Sequence, residues 1–262
     1  MITETTWGVT LVLADATKTV HLAGYSNIVT GGDGNHFIDG DNGGLRLTLG
    51  SGNNVVSANG YNDVIYLGVD AQGQFTGTGN NVVTGTSGPA TIRTAAGNQT
   101  ITASGYYNVI TTGVGSSVII AGAGTDIVNV GAGHNTVTAD GNTNTVITHG
   151  GDTTVHLNGW TNLIEAGAGH TVVTGGYFNT YQVLATGAAG GVEVTDFSTL
   201  FGDVLDLHPV VGTGAVSVQN GLQGDLKVFI TPLGGSAIQV ADLHGMAGES
   251  VASLIAKHAL TL

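Results

Sequence analysis

The chain contains no cysteine in 262 residues. A disulfide scaffold is excluded, so a fold exposed to an oxidising exterior must hold itself by packing, backbone ladders or metal. Positive charge is also scarce: five Lys+Arg stand against eighteen Asp+Glu, for a net charge of −13. That balance argues against nucleic acid, whose binding rests on neutralised phosphates, and against an anionic membrane surface. It suits cations, neutral glycans or plain solubility. Only three prolines and 6% aromatic residues occur. No stretch approaches the ~20 apolar residues of a membrane-spanning helix, so no membrane insertion is expected. The opening "MITETTWGVTLVLADATKTV" has neither a basic start nor a continuous apolar run, and no secretory signal peptide is expected there.

What the chain has in quantity is glycine, 45 residues, regularly spaced. Steps of nine from Val128 reach Val20, Val29, Ile38, Leu47, Val56, Ile65, Gln74, Val83, Ile92, Ile101, Ile110, Ile119, Val137, Val146, Val155, Ile164 and Val173; seventeen of these eighteen positions are aliphatic, Gln74 being the exception. A helix has no such period, so the repeat predicts short strands between glycine turns. Two residues before each aliphatic lies a polar slot, with Asn at 27, 54, 81, 108, 135, 144 and 162 and Asp at 63 and 126. Strand alternation puts slot and aliphatic on one face, so both are expected to point inward. G-x-G turns and single-glycine turns alternate with a period of eighteen, which slips once by nine within "YLGVDAQGQFT" (66–76). Two nine-residue units per coil imply two parallel sheets. A three-sided coil of 27 residues is the alternative, suggested by Asn27, Asn54, Asn81, Asn108, Asn135 and Asn162 standing 27 apart.

The unit "AGAGTDIVN" (121–129) resembles the nonapeptide of the RTX (repeats-in-toxin) calcium β-rolls, G-G-x-G-x-D-x-U-x, except at its first Gly. "GGDGNHFID" (31–39) resembles it except for His36 in the Asp slot. The stretch "VEVTDFSTLFGDVLDL" (192–207) and the end "IQVADLHGMAGESVASLIAKHALTL" are similar to the type I secretion region of that family. The resemblance implies a right-handed parallel β-roll exported from a Gram-negative bacterium without an N-terminal signal. It also implies calcium, with Asp63, Asp126, Asp203 and Asp206 as candidate ligands. The polar slot departs from the family pattern: no two carboxylates stack, since Asn108 and Asn144 flank Asp126, and Leu45 and Ala90 flank Asp63. Calcium takes six to eight oxygens and favours charge, whereas stacked asparagines can bond to one another. Amide ladders in place of most calcium are therefore expected; a few retained calcium ions are the alternative.

Three further constellations carry possible chemistry. Tyr25, Tyr61, Tyr106, Trp160 and Phe178 fall in one column at the single-glycine edge. Exposed rings there either shield the turns or form a ridge for a glycan or protein partner. His134, Asp152 and His170 end a second column that begins with Asn35, Asn53, Asn80, Asn98 and Ser116; it is either a transition-metal site or a solvated row. Val82, Val109, Val118, Ile127, Leu163 and Val172 precede core positions and should face outward, which suggests contact with another copy or a surface or plain strand propensity. Lys18, Arg46 and Arg93 lie at unlike registers, and no enzyme is expected. The reading is an all-β solenoid: starting strands in 1–22, the roll in 23–182 with an inserted loop at 66–76, and a β-rich cap and secretion region in 183–262. Its expected role is a secreted, self-associating structural or adhesive protein of a matrix, surface layer or filament. A glycan- or ice-binding module, a calcium-binding RTX protein and a polysaccharide-acting enzyme are the rival readings.

Overall fold

The computed structural model describes residues 1–16, 18–40, 42–70, 72–186 and 191–262. Residue 71 of the inserted loop and residues 187–190 of the C-terminal region lie outside them. The described residues are nearly all β-strand, with only the short helices His208–Val211 and Val251–Ala256 and one 3-10 turn. They form two compact units, Met1–Val137 and Thr138–Leu262.

In the first unit successive strands alternate between two sheets. One sheet runs Ile2–Glu4, Lys18–Leu22, His36–Gly40, Val55–Ala58, Val82–Gly85, Thr100–Ala103, Val118–Ala121. The other runs Thr10–Leu13, Ile28–Gly31, Arg46–Leu49, Asp63–Leu67, Ala90–Thr94, Val109–Thr112, Ile127–Val130. The pairs are parallel and offset by one coil of 18 residues, as in Val20↔Ile38, Val29↔Leu47 and Ile101↔Ile119. The three-sided alternative is thereby excluded: asparagines 27 apart are one and a half coils apart and lie on opposite sheets, except Asn54 and Asn81, which the inserted loop brings one coil apart on the same sheet. A 27-residue offset appears only at Val55↔Val82 and Ala90↔Asp63. There the chain leaves the coil at Gly68, bridges Val69 to Phe75 antiparallel, and returns at Gly77, whose N–H bonds the Gly68 carbonyl at 2.9 Å. That excursion exposes Gln74, the one break in the aliphatic frame. The 18-residue register reaches back to Ile2↔Val20, inside the segment read as starting strands.

In the second unit Asp152–Asn158, His170–Thr174 and Gly191–Val194 continue in parallel, as do Thr145–Thr148, Leu163–Ala166, Thr180–Val183 and Val204–Asp206. The first of these sheets then changes sense. Ile238–Leu243 pairs parallel with Gly191–Val194 but antiparallel with Leu226–Thr231, which pairs antiparallel with Ala215–Asn220. This meander is the expected β-rich cap. It replaces an open parallel edge, which would otherwise template pairing with another chain.

The inward positions explain why the coils hold. All seventeen aliphatics of the frame are at most 2% exposed, and so are Ala58, Ala103, Ala121, Ala139 and Ala166 two residues later. Each buried aliphatic contributes roughly 1.5–3 kcal/mol. The turns need glycine where coils touch. Gly115 and Gly133 sit at φ +144° and +145°, and a Cβ on either would stand 2.1 Å from the carbonyl oxygen of the glycine one coil back. The single-glycine turns instead place a non-glycine residue in the left-handed region, at Ser26, Asn62, Tyr107, Thr125, Thr143, Thr161 and Phe178. Each costs roughly 1–2 kcal/mol and directly precedes a polar-slot residue.

Candidate functional site

The polar slot is an inner ladder of side-chain caps. Most slot oxygens accept the backbone N–H of the equivalent residue one coil earlier; Asn108 Oδ1 is buried without a hydrogen bond. In the first unit Asn27 Oδ1 accepts from Val9, Asn54 from His36, Asn81 from Asn54 and Asn135 from Ser117, all at 3.0 Å. In the second, Asn162 accepts from Asn144 at 2.9 Å, Asn179 from Asn162 and Asp203 from Asn179 at 3.0 Å. The amide nitrogens donate back to turn carbonyls, as from Asn27 to Gly24, Asn135 to Gly131 and Asn179 to Gly175. One carboxamide thus satisfies a donor of the previous coil and an acceptor of its own turn, and both would be orphaned in a buried site. Gln99 belongs to this ladder on the nine-residue count but is neither Asn nor Asp, while Asn179 and Asp203 belong to it off that count.

The acidic entries do half that work. Asp63 Oδ1 accepts the Leu45 N–H at 2.9 Å, while its Oδ2 is buried without a hydrogen bond. Burial pushes its carboxyl above the ordinary value, against the pull of the Leu45 N–H. Beside it, where Ala90 offers no cap, a hollow of about 260 Å³ is lined by Arg46, Asn62, Asp63 and Tyr107 among others. Asp126 accepts the Asn108 backbone N–H at 2.6 Å and the Asn108 amide at 3.0 Å; burial raises it to about 6, with those two bonds opposing. Burial likewise raises Asp203 to about 6 although N–H groups of Asn179 and Ser198 hold its two oxygens. Burial also pushes Asp206 up, but donors from Gln182, His208 and Thr261 outweigh it and leave the carboxyl below its usual value. Asp203 closes the ladder, and Asp206 ties the last coil to the C-terminal strand.

The aromatic edge is present. Tyr25, Tyr61 and Tyr106 in the first unit and Trp160 and Phe178 in the second are 46–56% exposed. The ridge column needs one correction. The coil from Asn162 to Asn179 has 17 residues, so Tyr177 and not Phe178 pairs with Trp160; Phe178 takes the left-handed position of Thr161. The alternation with glycine has a steric cause. The Tyr61 ring lies over Gly88 and the Phe178 ring over Gly202, where a Cβ would meet ring carbons at 2.1 and 2.5 Å. In the second unit an open groove of about 450 Å³ is lined by Trp160, Tyr177, Asn142, Asn158 and Asp196 with three glycines and Leu157.

The outer column begins as a second ladder of opposite sense. Asn35, Asn53, Asn80 and Asn98 cap the backbone N–H of Asn53, Asn80, Asn98 and Ser116, one coil later, at 2.7–2.9 Å. His134 falls in the first unit. Asp152 and His170, in the second, are register partners on neighbouring strands, and His170 Nε2 lies 3.3 Å from Glu193 Oε2. Glu193 was not legible in the repeat, nor was the rest of its group: Asp225, Asp242 and His244 of the C-terminal meander.

On the outer face of the first unit, Phe37, Val55, Val82, Thr100 and Val118 form one column of register partners, with Ile120 beside Thr102 in the next. Phe37, Val55, Val82, Val118 and Ile120 are 36–49% exposed. Among the described residues no helix is long and apolar enough to cross a membrane. Comparison with known proteins adds no relative: no family model, no curated protein and no solved structure matches this chain.

Proposed function

We propose that this chain is a secreted, non-enzymatic structural or adhesive solenoid that associates with further copies of itself. The observation that carries the reading is the uncharged column Val55–Val82–Thr100–Val118 with Thr84, Thr102 and Ile120 beside it, on a chain of net charge −13. A second copy offers the same uncharged stretch, with Asp39 and His21 at its upstream end, so packing over Val55 to Val118 buries aliphatics while those charges stay at the rim. The coil of two nine-residue units supports the RTX-like reading, and with it export by a type I pathway. The neutral ladder supports a roll that holds few or no calcium ions. Sedimentation of the full chain tests the assembly. The wild type should associate reversibly with rising concentration, and Val82→Lys with Val118→Lys should shift it toward monomer while the far-UV spectrum stays unchanged. A wild type that stays monomeric at its solubility limit sinks the reading.

The groove beside Trp160 and Tyr177 favours one alternative, a glycan-binding surface. Two half-exposed rings flank amides and the Asp196 carboxylate, the mix of stacking faces and hydrogen-bonding groups that sugars use. Trp160→Ala should then abolish retention on immobilised polysaccharide with assembly intact.

A further inference from the structure

We propose that Asp225, Asp242 and His244 form a binding site for a divalent transition-metal ion of the zinc or manganese type, with Glu193 as the carboxylate that orients His244. The inference is separate from the assembly reading and rests on other residues.

The cap builds the site by strand alternation. Val192, Val194, Leu226, Val228, Ala241 and Leu243 are at most 1% exposed. Their neighbours Glu193, Lys227 and Asp242 therefore share the opposite face, joined by the register pairs Glu193↔Asp242 and Lys227↔Asp242. His244 follows Asp242 by two residues and Asp225 precedes Lys227 by two, so both extend that face. The His244 backbone is held by its N–H to the Val194 carbonyl at 3.0 Å.

One oxygen of each aspartate and one nitrogen of His244 lie within 4.8 Å of one another. A tetrahedral ion with bonds of ~2.0–2.2 Å keeps its ligand atoms about 3.4 Å apart. The difference, at most about 1.4 Å, is what the three side chains must close as the ion binds. His244 Nε2 is 3.0 Å from Glu193 Oε1, and its Nδ1 faces Asp225 Oδ1 at 4.0 Å. With Nε2–H donating a hydrogen bond to Glu193, the Nδ1 lone pair is left for the ion, the carboxylate–histidine–metal arrangement that fixes tautomer and ring angle. His170, at 3.3 Å from the other Glu193 oxygen, holds that carboxylate in turn. A second observation bears on the site: Asp242 Oδ1 is a buried atom with no hydrogen-bond partner, on a side chain 17% exposed. Lys227 does not fill that place. Its ammonium stands 3.6 Å from the other Asp242 oxygen on a side chain 37% exposed, so it can swing into water when an ion binds. An imidazole with two carboxylates suits zinc or manganese; calcium takes all-oxygen sites.

The test is calorimetric titration of the full chain, first stripped with chelator, with Zn²⁺, Mn²⁺ and Ca²⁺ in separate arms. One equivalent of Zn²⁺ or Mn²⁺ should bind. His244→Ala and Asp242→Asn should each weaken it at least tenfold, and Glu193→Gln about tenfold, as for other orienting carboxylates. Imidazole ¹⁵N spectra of the wild type, which need no variant, should show the His244 Nδ1 resonance shifting on addition of Zn²⁺. Zn²⁺ binding that survives His244→Ala and Asp242→Asn together would place the ion at other histidines and overturn the proposal. So would stoichiometric calcium in its stead, no binding at all, or an unmoved His244 resonance.

Discussion

Replacing Asp126 by asparagine should stabilise this protein at neutral pH. Asp126 is fully buried, and burial raises its carboxyl from 3.8 to about 6 against the pull of the Asn108 N–H groups. A raised folded-state pKa means that the native state resists the charged form. The penalty is absent below the unfolded value, grows as pH rises through about 6, and is complete at pH 7.5. Two units at 1.36 kcal/mol each put it at about 3 kcal/mol. In Asp126→Asn the amide oxygen still accepts both Asn108 bonds, and the new NH₂ can donate to the turn as Asn135 and Asn179 do. For a chain of this size each kcal/mol moves Tm by roughly 2–4 °C, so the gain at pH 7.5 is on the order of 6–12 °C, shrinking to nothing near pH 4. The assay is thermal unfolding of wild type and variant in chelator across pH 4–8. A variant less stable than wild type at pH 7.5, or a gain that does not change with pH, would refute the reasoning. Calcium that raises the Tm of the wild type but not of the variant would show instead that Asp126 is a metal ligand.

Three further outcomes follow from the same geometry. His36 occupies a ladder slot, and burial lowers its pKa, with the Gly32 carbonyl opposing; stability should fall as pH drops below about 6.5, and His36→Asn should remove that slope in Tm between pH 7.5 and 5. Gly133→Ala drives a Cβ to 2.1 Å from the Gly115 oxygen at a left-handed φ; a loss of at least about 1–3 kcal/mol in denaturant melts is expected, and an unchanged midpoint would contradict the coil contact. Deleting residues 69–77 restores an 18-residue offset between Asn54 and Asn81; strand circular dichroism per residue should be unchanged, at the cost of the Arg93–Phe75 contact, worth about 0.5–1 kcal/mol.

The repeat made the solenoid legible because one physical demand recurs every nine residues. An aliphatic must fill the core, a small polar group must cap a turn, and a glycine must pass close to the coil before it. Wherever that demand changes, the sequence signal stops. The coil ending at Asn179 is one residue short, so the frame that still fits Val173 misplaces Phe178 and hides Tyr177. Gln99 and Asp203 cap backbone like their asparagine counterparts, yet differ from them in length or charge. The Glu193–Asp242–His244 group could not be found by counting. Glu193 and Asp242 meet because a strand 49 residues later joins Glu193's own strand, and the meander that delivers it has no repeat. The excursion at Gly68 was visible as a slip of nine, since everything beyond it keeps phase.

The two ladders run against each other. Inner caps reach back from each coil to the one before it, and outer caps reach forward to the one after. A cut in the first unit would therefore strip the upstream fragment of its inner acceptors and the downstream fragment of its outer ones. Neither stub ends on a finished surface. The array has no natural stopping point within itself, so it is completed only where the closing Asp203 and the meander arrive. A growing chain would reach those residues only after the coils, leaving its most recent coil half-satisfied and open to extension until they are made.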